Sequence, residues 1–350
     1  MELVYQVHNI GIFTDIEDSQ RKERIHDLLK EQFDGFEIFK GQKIDYQLII
    51  KDYQSLKLKT GIIVPQNSEF TEDEIFISYQ LEIAFKIERL KTYFWVKDTT
   101  WYAPYLIGDM MLQQNKTFVH GAAISTNNKG ILLLAFGGIG KTCFIANAVK
   151  RNDVQLLGDD LIIISENGKL YPYPRPFCLY KYHVKLFPQF FSGKTYKFNE
   201  YAKNKYWLRA KKTLKSKLNI KDKTIYSFLP VAPVHLFSKG KVENKPVDLE
   251  AVYILRRIGN IKEVNVKKIN DIKYAVDFAQ DVILHEWDVG LKIILNWYAQ
   301  RFLSISDYIN KQYMVINNGM RKVNNIFIVD IPENLDAEQV SIELNRVILE

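Results

Sequence analysis

The spacing of polar and apolar positions changes period several times in the first 115 residues. QRKERIHDLLKEQF, ending at Phe33, places Ile25, Leu28 and Leu29 at helical spacing among charged residues, which predicts an amphipathic helix. Asp45–Ile50, Ile75–Tyr79 and Tyr93–Val96 alternate instead, as half-buried strands do. Trp101–Met111 reads as a second helix. From residue 116 the order is tighter. TFVHGAAIS is followed by a turn at NNKG, a strand ILLLAF, a loop GGIGKT, a helix CFIANAVKR, a strand VQLLGDDLIIIS, a turn ENGK and a strand LYPYP. Strand, glycine-rich loop, helix, strand is a βαβ-like unit. LEAVYILRR and EVNVKKI predict two further strands, and DIKYAVDFAQDVILHEW and VGLKIILNWYAQRFLSISDYI are helical. NNIFIVDI is a last strand before a terminal helix in ENLDAEQVSIELNRVILE. The pattern predicts an α/β fold with a sheet-rich α+β region over 1–115 and a second domain over 116–350.

Composition narrows the class. The chain has 350 residues, 47% hydrophobic and 25% charged, which is globular and excludes a largely disordered or fibrous chain. Lys and Arg number 48 and Asp and Glu 41, so the formal charge is 48 − 41 = +7. That modest excess fits an anionic ligand without singling out nucleic acid. Cys143 and Cys178 are too few for a disulfide framework or a zinc site, and a reducing cytoplasm is the simplest home. MELVYQVHNIGIF has neither the basic start nor the apolar core of a signal peptide. No run approaches the roughly 18 apolar residues that span a bilayer.

The candidate chemistry lies between 120 and 175. Ala135-Phe-Gly-Gly-Ile-Gly-Lys-Thr142 fits the Walker A pattern at every defined position but the first, where Ala stands for Gly. Gly137, Gly138 and Gly140 let the backbone turn its N–H groups inward, and with Ile139 between them they form a loop that cradles phosphate at a helix N-terminus. Lys141 would reach the β- and γ-phosphates, and the Thr142 hydroxyl would ligate Mg²⁺. Asp159 and Asp160 follow in an apolar strand, where adjacent side chains point to opposite faces and take different jobs. One could hold Mg²⁺, and one could accept a proton from an attacking hydroxyl. His120 lies 21 residues before Lys141. Arg175, fixed between prolines, and Arg256 or Arg257 at a strand end are candidates for substrate or phosphate contacts.

HGAAIS, GILLLAFGGIGKT and LLGDD together resemble the core of the HPr kinase/phosphorylase family. The match covers about residues 118–182, with YPYPRPFCLY and LEAVYILRR similar to the segments that follow in stand-alone relatives. The Arg-Gly-Leu-Gly motif of true HPr kinases is not found, and residues 1–115 do not resemble their N-terminal domain. The resemblance therefore points to a stand-alone relative, with neither HPr as substrate nor phosphorylase activity carried over. It implies a fold related to phosphoenolpyruvate carboxykinase and an ATP- and Mg²⁺-dependent phosphotransferase. Within it, Gly137, Gly138, Gly140, Lys141 and Thr142 would bind the nucleotide. Asp159 would be the catalytic base, Asp160 a metal or polar support, and His120 the residue that orients or tunes the base.

The expected partners are a nucleotide and an acceptor hydroxyl on a protein, peptide, sugar or other small molecule. Two other readings stay open: an ATP-binding regulatory or assembly protein that transfers no phosphate, and a nucleic-acid binder using a basic tract. That tract has nine Lys or Arg between Lys203 and Lys223, with Tyr206 and Trp207 as stacking faces. A solvated helix or loop is its plainer reading, which makes nucleic acid the less expected partner. His8, His26, His183, His235 and His285 show no metal spacing, and Cys143, Trp287 and Trp297 fit packing positions. ATP against GTP and a homo-oligomer against a monomer are left open by the sequence.

Overall fold

Period-two burial builds two large sheets. The computed structural model describes residues 1–56, 61–64, 68–192, 228–238, 240–301 and 303–350. The basic tract at 203–223 lies outside the described residues. The first sheet holds β1 (Glu2–Val7), β2 (Ile10–Asp15), β3 (Tyr46–Asp52), β4 (Gly61–Val64), β5 (Ser68–Thr71), β6 (Phe76–Ser78), β7 (Ile83–Ile87) and β8 (Lys91–Val96). Its order is β1-β2-β3-β8-β7-β6-β5-β4, with parallel pairing only where β3 meets β2 and β8. Helix α1 (Ser19–Phe33) follows β2. Asp18 caps it by accepting from the Arg21 amide, and Ile25, Leu29, Gln32 and Phe33 form its buried stripe. Helix α2 (Ala103–Leu112) buries every residue except Tyr105, so it is an interior helix between the two sheets.

The second sheet is also mixed. It is built from β9 (Lys116–Thr126), β10 (Lys129–Leu134), β11 (Val154–Gly158), β12 (Leu161–Ser165), β13 (Lys169–Tyr171), β16 (Val247–Ile258), β17 (Asn265–Ile269) and β18 (Asn325–Pro332). A separate two-stranded ribbon pairs β14 (Phe177–Leu179) with β15 (Leu229–Val231). Strand β9 is the spine. Its C-terminal half pairs with β10 on one side, and β12 and β11 follow one another along the other. Strand β10 also runs parallel to β16, and β16 meets β13, so these pairings close into a ring.

Alternation along these strands sorts the core. Val119, Leu132, Leu134, Ile162, Val252 and Ile254 face helices α4 (Ile272–Glu286) and α6 (Ile305–Met320). Ala122, Ile131, Leu133, Ala251 and Leu255 face α3 (Lys141–Ala148) and the terminal helix α7 (Ala337–Leu349). Helix α5 (Asp288–Gln300) packs with α2 in the third cluster. There Phe118, Leu161, Ile163, Tyr173 and Trp287 join Phe33, Phe36 and Phe94 in one continuous apolar core. Residues 1–115 thus share their core with the rest of the chain, across the expected boundary. The α/β expectation holds at the level of mixed α/β structure with mixed sheets.

Most expected elements appear within a few residues, and one differs instructively. VQLLGDDLIIIS, expected as a single strand, forms two, interrupted at Asp159–Asp160. Asp160 has φ +74°, a left-handed conformation that costs an L-residue about 1–2 kcal/mol. The kink cancels the strand alternation, so the two aspartates do not point to opposite faces.

Histidine burial makes stability pH-dependent. His8 is 6% exposed, with Nε2 2.8 Å from the Pro172 carbonyl oxygen, and it packs against Phe39. Burial pushes its pKa down from 6.5 to about 4. The unfolded chain then binds a proton that the folded chain refuses, so stability is complete above about pH 6.5 and is lost as pH falls toward 4. The slope is about 1.4 kcal/mol per pH unit for such a group. Urea unfolding of wild type and His8→Gln at pH 7 and pH 5 checks this. Wild type should lose about 2 kcal/mol more than the variant over that interval; equal losses would contradict it.

Candidate active site

The loop between β10 and α3 is built around Lys141. The residue is 7% exposed, and its ammonium uses all three donors: to the Ala135 carbonyl at 2.8 Å, the Phe136 carbonyl at 3.0 Å and His120 Nε2 at 3.1 Å. Burial lowers the lysine pKa, and Asp160, Asp159 and Glu286 oppose that shift. Because Nε2 accepts from the ammonium, the His120 ring proton sits on Nδ1. That atom lies 3.5 Å from Asp160 Oδ1. Burial and then Lys141 push the imidazole down to about 4, so it is neutral at pH 7.

The two aspartates part at this point. Asp159 is 6% exposed, and its Oδ2 accepts from the Thr142 hydroxyl at 2.7 Å. Its Oδ1 is buried without a hydrogen-bond partner. Burial pushes this carboxyl up to about 6, against the Thr142 hydrogen bond. Asp160 keeps 45% of its side-chain surface open and pairs with Arg175 Nη1 at 2.9 Å. Desolvation would raise its pKa, but Arg175, His120 and Lys141 bring it below the usual range. Arg175 is itself 8% exposed, and its Nη2 donates to Gln32 Oε1 on α1 at 3.2 Å. An element of the first 115 residues thus fixes an arginine of the site.

These groups open into one cleft of about 710 Å³. Gly137, Gly138, Gly140, Lys141, Thr142, Asp159, Asp160, His120 and Arg175 all line it. Two expected residues do not. Ile139 packs its side chain against the α3–α7 core, so only its backbone is available to a ligand. Arg256 is a correction: its Nε donates to Asp330 at 2.7 Å, away from the cleft. The neighbouring Arg257 lines the cleft, braced by the Pro332 and Leu335 carbonyls at 2.7 and 3.1 Å.

Several contributors have no local sequence signal. The Gly137 amide donates to Glu286 Oε1 at 2.7 Å, across 149 positions. Helix α7 braces α3: Ser341 Oγ donates to the Cys143 carbonyl at 2.6 Å, and Asn345 Nδ2 to the Phe144 carbonyl at 3.0 Å. The far wall comes from Trp101, Tyr105, Tyr180 and Tyr182. No protein-family model matches this sequence, and no curated protein matches it.

The donor set fits a hard divalent cation only in part. Among the described residues no cluster of three or more His, Cys, Asp or Glu could hold a metal alone. The Asp159 carboxylate, with Oδ2 on the Thr142 hydroxyl and Oδ1 unpartnered, fits a Mg²⁺ that draws its other ligands from phosphate and water.

Gly140 shows how tightly the loop is built. Its φ is +132°, and a Cβ there would lie 2.6 Å from Val340 Cγ1 of α7. Gly140→Ala should destabilise the fold by about 2 kcal/mol through strain and displacement of α7. Thermal unfolding checks this; a midpoint unchanged from wild type would contradict the packing.

Proposed function

We propose that the chain is an ATP-dependent kinase that moves the γ-phosphoryl group onto an acceptor hydroxyl. One observation carries the reading: a lysine ammonium is held under a glycine-rich loop, with a threonine–aspartate pair on one side and an open aspartate–histidine–arginine chain on the other. The sequence resemblance to HPr-kinase-like proteins points the same way, and residues 137–142 would cradle the phosphates.

The geometry supports exchanging the roles the resemblance gives to the two aspartates. Asp159 pairs with Thr142 at the wall of the cleft and is 6% exposed, so Thr142 and Asp159 would hold Mg²⁺ there. That cation would neutralise charge on the phosphate oxygens. Asp160 faces the open cleft and is the better candidate to receive the acceptor proton. Its pairing with Arg175 makes it a weak base, which suits a loose phosphoryl-transfer transition state that asks little of one. In the step, the acceptor oxygen bonds to the γ-phosphorus and the bridging β–γ P–O bond breaks. ADP departs, and the hydroxyl proton passes to Asp160. Lys141 stabilises the charge gathering on the phosphate oxygens, and Arg175 holds Asp160 in place. His120 keeps Lys141 and Asp160 in register as a neutral bridge.

Transfer from γ-labelled ATP into a fractionated extract of the source cell tests this. Asp160→Asn should keep ATP binding and lose labelling by about 100-fold or more. Asp159→Asn should raise the Mg²⁺ concentration needed for half-maximal labelling. Label in protein or peptide fractions would make it a protein or peptide kinase, and label in small molecules a metabolite or glycan kinase. No label with intact ATP binding would instead favour a nucleotide-binding regulator. Full labelling by Asp160→Asn would remove Asp160 as the proton acceptor.

A further inference from the structure

The strand end of the loop already carries an anion. Glu286 Oε1 accepts from the Gly137 N–H at 2.7 Å, and Gly137 is the first glycine after β10. Glu286 is also the last residue of α4, where a carboxylate is unfavourably placed against the helix dipole. Nothing in helix energetics favours it there, and the loop amide compensates it. The backbone on both sides is held. Phe136 packs against Phe278 and His285 of α4, and Trp287 is wedged between Tyr105 and Phe118. The Glu286 side chain is exposed, so it can leave by rotating while loop and helix stay in place.

We infer that Glu286 sets the preference of this site between nucleoside triphosphate and diphosphate, because its carboxylate occupies the subsite of the transferred phosphoryl group. The inference rests on the nucleotide reading above. The loop has two ends. The helix end, at Thr142, adjoins Asp159 and would take the two phosphates shared by both nucleotides, with Lys141 between the two ends. The strand end, at Gly137, lines the same cleft as His120 and Asp160, and would take the third phosphate there. Glu286 is near enough to His120 and Lys141 to act on the charge of both. A third phosphate reaching Gly137 must take that N–H from a carboxylate of its own sign. A diphosphate need not. The wild-type chain therefore loses affinity for the triphosphate specifically, and the carboxylate returns once the phosphoryl group has gone.

Calorimetric titration of the full chain with the β,γ-imido triphosphates and the diphosphates of adenosine and guanosine tests this. Glu286→Gln should bind the triphosphate analogue about tenfold more tightly and the diphosphate within about threefold of wild type. Glu286→Ala, which cannot hold the Gly137 amide at all, should gain at least as much. A triphosphate affinity unchanged or lowered in both variants would overturn the inference and leave the phosphate-loop reading standing. Equal gains for both nucleotides would also overturn it, by showing general repulsion rather than a subsite. Failure of wild type and both variants to bind any nucleotide would overturn the phosphate-loop reading and this inference with it.

Discussion

A buried lysine ammonium has to find acceptors, and the geometry of this site follows from how Lys141 finds three. Leaving any of its N–H groups unpaired at 7% exposure would cost several kcal/mol. Two acceptors are carbonyls of its own loop, Ala135 and Phe136, so satisfying the lysine also curls the backbone that precedes it. The third is His120 of β9, which ties the loop to the spine of the second sheet. Because His120 accepts through Nε2, it presents Nδ1–H toward Asp160, and Asp160 in turn engages Arg175. One desolvation requirement thus runs through four side chains from three parts of the chain.

The chain of contacts ends in the N-terminal region. Gln32 of α1 orients Arg175, and α2 supplies Tyr105 beside Trp287. Residues 1–115 share a continuous core with β9, β12 and α5, and Gln32 of α1 with Trp101, Pro104 and Tyr105 at the start of α2 line the cleft. The kink at Asp160 matters for the same reason. Had the strand run straight, one aspartate would have faced away from the cleft. The positive φ turns both toward it, with Asp159 against α3 and Asp160 beside His120 and Arg175.

Much of this was legible in the sequence. The amphipathic stripe of α1, the β10–loop–α3 unit and the terminal helix are local patterns, and each appears where its periodicity put it. Apart from Ile139, the candidate residues from His120 to Arg175 converge on one cleft because the motif spacing encodes a local unit. What escaped was non-local. Glu286 meets Gly137 across 149 positions, and Gln32 meets Arg175 across 143. No periodicity carries such pairings. Arg256 and Arg257 differ by one place on β16, and only the pairing of Arg256 with Asp330 shows that Arg257 is the one at the cleft. The opposite-face expectation for the aspartates failed because alternation assumes a regular strand.

The most direct test of the central claim is a crystal structure of the chain with Mg²⁺ and a non-hydrolysable triphosphate. The account predicts phosphate density along the amides of 137–142, the cation between Thr142 and Asp159, and Asp160 free of metal beside His120. A triphosphate bound elsewhere, or a cation held by Asp160 rather than Asp159, would contradict it.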